Sequence, residues 1–234
     1  MEQIRSLKKD APARLNLLET ATDDPIGLAL SSQIQDVEID KLRQAAYSSA
    51  VNFKLPDPGT VLRRHDPAGS LCFVIGSKRQ LFATMRIALA PDRLEAERLL
   101  EGKAAVPGSF FPGAVLSRGA THPIVRGNGL MGFLVSIGVA VAARSGLGSA
   151  LAVQVDGTPH FTAMSAAGWQ SKAIGAEELA LVSIERTLQL VYLSRDRYEA
   201  SVRQSQQAHA ALYRLLNPEP VIRQAADLLR GRLR

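Results

Sequence analysis

The chain has 234 residues, 46% hydrophobic and 21% charged, which excludes a disordered or fibrous protein and fits one well-buried domain with at most an appendage. Its single cysteine, Cys72, excludes an internal disulfide and a cysteine-rich metal site, and no metal is expected. The formal charge of +6 is uneven: residues 195–234 hold eight arginines against four acids and supply +4 of it. That basic end reads first as a solvated helix face, and as a docking surface it suits an acidic protein or an anionic lipid. Without interleaved aromatics it does not suit nucleic acid.

Residues 1–25 are polar and read as a loose arm or a short leading helix. Basic residues without a continuous apolar core argue against a signal peptide there, so a cytoplasmic location is expected. Residues 26–31 read as a first strand, and residues 34–49 as a helix with Ile34, Val37, Leu42, Ala45 and Ala46 as its apolar positions. Pro56, Asp57, Pro58 and Gly59 form a turn cluster. A hairpin follows, with strands at 71–75 and 81–89 and a turn at 76–79. Cys72 lies in the first of these strands and reads as a buried, inert thiol. On the return strand, alternation puts Leu81, Ala83, Met85, Ile87 and Leu89 on one face. Phe82, Thr84, Arg86 and Ala88 fall on the other. Arg86 is a charge inside an apolar strand and needs either a structural partner or a ligand.

Residues 92–101 read as a short amphipathic helix, 107–113 as a loop and 114–121 as a strand, with Ser117 and Arg118 on opposite faces. After this strand come His122 and Pro123, then Arg126, Gly127, Asn128, Gly129 and Leu130, leading into an apolar helix at 129–144. A glycine-rich loop that opens a helix presents unpaired N–H groups at the positive end of the helix dipole, which suits phosphate. Glycines also begin helices for purely local reasons. The apolar run at 130–143 is too short to span a bilayer, so no transmembrane segment is expected. Residues 150–155 read as a buried strand. Thr158 or Asp156 opens a helix that Gly168 stops, and Trp169 reads as a core aromatic. A strand region is expected within 171–183 and another at 188–193. Two closing helices carry the stripes Tyr198, Val202, Ser205, His209, Leu212, Leu216 and Ile222, Ala225, Ala226, Leu229, Leu233. His209 reads as a core histidine.

These motifs, in this order, resemble the GNAT acyltransferase superfamily over residues 26–194. Arg126-Gly127-Asn128-Gly129-Leu130 is similar to its Arg/Gln-x-x-Gly-x-Gly/Ala pyrophosphate loop, with Met131 where the last small residue belongs. Gly168-Trp169 resembles the Gly-aromatic pair that ends a later helix. Met164 stands where many acetyltransferases carry a general-acid tyrosine. Leu42-Arg43 with Tyr47, Thr84-Met85-Arg86-Ile87, Ser117-Arg118 and His160 resemble the branch of N-acyl amino acid synthases and acyl-homoserine lactone synthases. Val115 stands where the lactone synthases carry glutamate, which favours the N-acyl amino acid type.

The resemblance implies an α/β (α+β) fold: a mixed, mostly antiparallel twisted sheet flanked by helices, with a C-terminal helical extension. Its implied division is an arm at 1–25, an acyltransferase domain at 26–194 and an extension at 195–234 packed on that domain. The implied activity is transfer of a medium- or long-chain acyl group from an acyl carrier protein thioester to the amine of an amino acid or related small molecule. Coenzyme A is the alternative donor, and no permanently bound cofactor is expected. An acetyl-CoA-dependent N-acetyltransferase and a non-catalytic binding module are the competing readings.

In such a reaction the protein positions amine and thioester, polarises the thioester carbonyl and accepts a proton. Backbone N–H groups at Gly119, Ala120 and Thr121 are the candidate polarisers. The loop from Arg126 to Leu130 is the candidate grip on the donor's phosphate arm. His122 and His160 are candidate proton relays, with a structural role the competing reading of each. Arg43, Arg86 and Arg118, with Ser117, are candidates to clamp an acceptor carboxylate, because a guanidinium pairs with that group in two-pronged fashion. The basic extension suits docking of an acidic carrier protein.

Overall fold

The computed structural model describes residues 24–31, 36–49, 69–100, 106–174 and 188–233. The expected arm up to residue 23, Ile34, the turn cluster at 56–59 and residues 175–183 lie outside the described residues. Strands β1 (Gly27–Leu30), β2 (Leu71–Gly76), β3 (Leu81–Ala90), β4 (Gly113–Thr121), β5 (Ser149–Val155), β6 (Gln170–Ile174) and β7 (Leu188–Ser194) form one sheet. Its order is β1-β2-β3-β4-β5-β7-β6, and only the β4–β5 pair is parallel. The mixed, mostly antiparallel sheet expected from the sequence is the sheet observed.

Helices α1 (Asp36–Ser48) and α2 (Arg93–Leu100) cover one face. There Ile39 packs on Cys72 and Val74, Leu42 and Ala46 pack on Ala120, and Leu99 and Leu100 pack on Ala88, Val115 and Leu151. The other face carries Phe73, Ile75, Met85, Ile87 and Leu116 against α3 (Leu130–Ser145). Alternation on β3 holds from Ala83 onward and breaks before it. Leu81 joins the α1 face while Phe82 joins the α3 core. The register slip between Ile75 and Gly76 explains this, because Ile75 pairs with Ala83 but Gly76 pairs with Leu81.

The apolar character of α3 on all sides has a direct cause: the helix is enclosed. It packs on β3 and β4 on one side and on α5 (Tyr198–Ala208) and α7 (Glu219–Gly231) on the other. Its backbone approaches the sheet closely at Gly138, where an added Cβ would lie 2.7 Å from Leu116 Cδ2. Helix α4 (Pro159–Ala166) starts at Thr158, whose hydroxyl accepts the Phe161 N–H, and is followed by Gly168 at φ +86. Trp169 is buried behind it.

The C-terminal segment is helical as expected but has three helices among the described residues, not two. The first expected helix breaks at His209 (φ −117, ψ 27), which separates α5 from α6 (Ala210–Leu216). Tyr213 Oη lies 2.8 Å from Ser136 Oγ, and Gln204 Nε2 donates to the Ala166 carbonyl at 2.9 Å. Arg144 at the C-terminal end of α3 pairs with Glu219 at the start of α7 at 2.5 Å, which places each charge on the helix end its dipole favours. Among the described residues, no helix is long and apolar enough to cross a membrane.

Candidate active site

Strands β4 and β5 are paired only from Gly113–Ser149 to Val115–Leu151. Beyond that point β4 runs on to Thr121 beside β3, and β5 runs on to Val155 beside β7, so the two strands fork. On the β3 side the register also slips: Arg86 pairs with Ser117, but Thr84 pairs with Ala120. The extra residue in β4 is a bulge at Arg118 and Gly119, and Arg118 takes a left-handed φ of +53. A non-glycine residue there costs on the order of 1 kcal/mol, and the surrounding pairing holds it in place. Arg118 and Gly119 together stand opposite Met85, so the pleat of β4 is interrupted between these two, after Ser117 and Arg118. Tyr47 Oη donates to the Gly119 carbonyl at 3.3 Å, which fastens α1 to the bulge.

The sheet face under α1 and α2 gathers three of the four candidate substrate residues. Arg86, 2% exposed, donates from Nε to Ser117 Oγ at 2.8 Å and from Nη2 to the Leu99 carbonyl at 2.9 Å. Arg86 stands opposite Cys72 in the β2–β3 register. Cys72 Sγ in turn lies 3.5 Å from Nη2 of Arg43, which is 3% exposed. Asp40 reaches the same guanidinium from the preceding turn of α1 at 3.9 Å. Arg43, Cys72, Arg86 and Ser117 thus form one connected buried group that ends at the half-buried Ser117, beside the bulge.

On the other face, the loop after β4 is shaped by local hydrogen bonds. His122 Nδ1 accepts the Ile124 N–H at 3.4 Å and so caps a short 3-10 turn, Pro123–Val125. Its Nε2 lies 3.4 Å from Gln80 Nε2. Asn128 Nδ2 donates to the Val125 carbonyl at 3.0 Å. Gly127 and Gly129 take φ values of +82 and +77, which only glycine adopts without strain. The first intrahelical bond runs from Phe133 N to Gly129 O, so the N–H groups of Leu130, Met131 and Gly132 have no acceptor within the helix. Arg126 points away from this helix end. Its guanidinium donates to the carbonyls of Ala46 and Ser49 and to Ser49 Oγ. It thereby caps α1, whose last turn has no basic residue of its own.

Two residues that the sequence did not single out as site residues also border this loop. The His209 ring lies against the first turn of α3: a Cβ on Gly132 would stand 2.8 Å from its Nε2, and one on Gly129 3.1 Å from its Nδ1. Burial keeps His209 below the ordinary histidine pKa. Burial, with a smaller contribution from neighbouring His209, pushes His160 down to about 4. The second residue is Met131, whose Sδ would stand 2.7 Å from a Cβ on Gly119. In the sequence, His209 sits on an apolar stripe and carries no mark of this placement. Met131 was visible there only as a departure from a loop pattern.

The arrangement offers a split in the sheet, a backbone bulge beside it, helix-start donors without an acceptor in their own helix on one face and buried guanidinium groups on the other. No protein-family model matches the chain, and no curated protein matches its sequence. Solved structures do share its fold. A polyamine N-acetyltransferase of Drosophila melanogaster aligns with a TM-score of 0.53 at 13% identity, over 72% of this chain and 99% of its own. FeeM, an N-acyl amino acid synthase from uncultured soil microbes, aligns with a TM-score of 0.52 at 13% identity, over 78% and 98%. A putative acetyltransferase of Salmonella typhimurium, solved with its cofactor acetyl-CoA, aligns with a TM-score of 0.51 at 12% identity, over 74% and 95%. The architecture is the GNAT fold, with a mostly antiparallel seven-stranded sheet and a helical C-terminal part.

Proposed function

We propose that the chain is an N-acyltransferase that moves a medium- or long-chain acyl group from a thioester to the amine of an amino acid. The observation that carries this reading is the forked β4–β5 edge at the Arg118–Gly119 bulge, reached on one side by the glycine loop and on the other by the group Arg43, Cys72, Arg86 and Ser117. The donor's phosphate meets the N–H groups of the loop and the first turn of α3. Arg126 holds that loop to α1 rather than reaching the phosphate as a free cation. The thioester carbonyl lies against those backbone N–H groups of the stretch Gly119, Ala120 and Thr121 that face the fork rather than β3, which are oriented before reaction and lose little in reorganising. Ser117 and Arg118 meet the acceptor carboxylate, with Arg86 orienting the serine hydroxyl and Arg43 adding positive charge behind it.

The amine must lose a proton. His160 remains neutral above about pH 4, so it is too weak a base for this step and serves to line the site. His122, at the end of β4, accepts the proton through water at Nδ1, which must first release the Ile124 N–H that it caps. The donor is a carrier protein thioester, which the basic extension suits; coenzyme A is the second source of the same phosphopantetheine arm. A cytoplasmic setting supplies both. The fold shared with a polyamine N-acetyltransferase and with a putative acetyltransferase solved with acetyl-CoA keeps acetyl transfer to a small amine as the second reading.

The test is incubation with octanoyl and palmitoyl thioesters of acyl carrier protein and of coenzyme A, together with pooled amino acids and polyamines, analysed by mass spectrometry. Acyl amino acids should accumulate over many turnovers. Acetylated polyamines alone would favour the second reading, and no amide from any combination would sink both.

A further inference from the structure

The segment from the glycine loop to the bulge is bordered by one flexible apolar side chain. Met131 is the second residue of α3, and its own N–H is one of the donors of the helix start. Its side chain runs to β4 and lies against the α3 side of Gly119, where Sδ and Cε would stand 2.7 and 3.0 Å from an added Cβ. Gly119 itself remains exposed, and its carbonyl is held from the α1 side by Tyr47. The open approach to the bulge therefore has a fixed edge, the backbone of β4, and a deformable one, the Met131 thioether. Methionine has three rotatable side-chain bonds and repacks at little cost, so its volume sets the width of the approach without sealing it.

We propose that Met131 is a specificity-determining wall of the donor groove, setting its width beside the Gly119 bulge and so deciding how well a thioester-bearing arm fits there. This rests on the acyl-transfer reading for the identity of the arm. As a wall beside the bulge, residue 131 acts on the arm and leaves binding of the nucleotide end of coenzyme A unchanged. A smaller side chain widens the groove; a larger, stiffer one narrows it.

The experiment compares the full-length protein with Met131→Ala, Met131→Leu and Met131→Phe. Calorimetry measures binding of coenzyme A and of adenosine 3′,5′-bisphosphate, which lacks the arm, and circular dichroism verifies folding. Coenzyme A should bind at least fivefold tighter to the alanine variant and at least tenfold weaker to the phenylalanine variant. The leucine variant should stay within threefold of the parent, and the bisphosphate should bind all four proteins alike. Coenzyme A affinity that is flat across the folded series, or that moves in step with the bisphosphate, overturns the wall. Amide formation is measured in parallel. If affinities follow the series but no thioester yields amide, the acyl-transfer reading fails and the wall stands. If amide forms while affinities stay flat, the wall fails alone.

Discussion

Replacing Gly138 by alanine puts a methyl group where α3 comes closest to the sheet. The new Cβ would stand 2.7 Å from Leu116 Cδ2, 3.1 Å from Leu116 Cδ1 and 3.1 Å from Met85 Cε. Leu116 and Met85 are both almost fully buried, so neither side chain has free space to move into. Alanine gains about 1 kcal/mol in helix propensity. Overpacking a dense core costs about 1–3 kcal/mol, and the short contact to an enclosed leucine places this site in the upper part of that range. The expected net loss is about 1–2 kcal/mol, or a Tm lower by roughly 2–8 °C for a domain of this size. Gly231, at the end of α7, is the control, because an added Cβ there meets nothing within 4 Å. Gly231→Ala should be neutral or stabilising by about 0.5 kcal/mol. Thermal and urea unfolding followed by circular dichroism reads both signs. A Tm that rises for Gly138→Ala as it does for Gly231→Ala would refute the close helix–sheet approach. Leu116 follows Val115, the last β4 residue paired with β5, so the same substitution should also raise the donor KM.

Arg126→Ala removes the cation that caps α1 and should cost about 1 kcal/mol, the range for an exposed charge on a helix end, with donor KM rising because the loop loses its tether. An unchanged Tm with a raised KM would instead assign Arg126 to the phosphate directly. His160 has a folded pKa of about 4 against 6.5 unfolded, so above pH 6.5 it is neutral in both states and costs nothing. As the pH falls from about 6.5 to 4, the unfolded chain takes up the proton first and stability is lost, by up to about 3 kcal/mol. His160→Gln should flatten that part of the stability curve; an equally acid-sensitive variant would contradict the assignment. Ser117→Ala removes the hydroxyl held by Arg86 and should raise acceptor KM at least tenfold with little change in donor KM. Equal changes in both would place Ser117 outside the acceptor subsite. Tyr213→Phe removes the bond to Ser136 and should lower stability by about 1 kcal/mol, measurable by urea unfolding, while sparing activity.

Much of the element order was legible because its signals are local. The period of apolar residues marked the strands and helices, Gly168 marked the end of α4 and Thr158 was one of two candidates for its start, and the glycines at 127 and 129 marked the loop that opens α3. The all-round apolarity of α3 announced an enclosed helix without saying what encloses it. The candidate residues were legible as types, since a charge in an apolar strand or a histidine after a strand is conspicuous. Their partners were not. Arg126 reads as a phosphate ligand within its own loop, yet it caps a helix 77 residues earlier in the chain. Arg86 acquires Ser117 and the Leu99 carbonyl only because β4 and α2 meet across it.

Sequence by itself determined which segments become strands and helices, where the glycine loop falls and that the C-terminal end is basic. Those properties depend on side chains and dihedral preferences a few residues apart. Tertiary structure alone decided the bulge at Arg118, the fork between β4 and β5, the break at His209 and the placement of Met131 against Gly119. Each of these is set by register and packing between segments distant in the chain, where one residue's slip changes which faces and atoms meet.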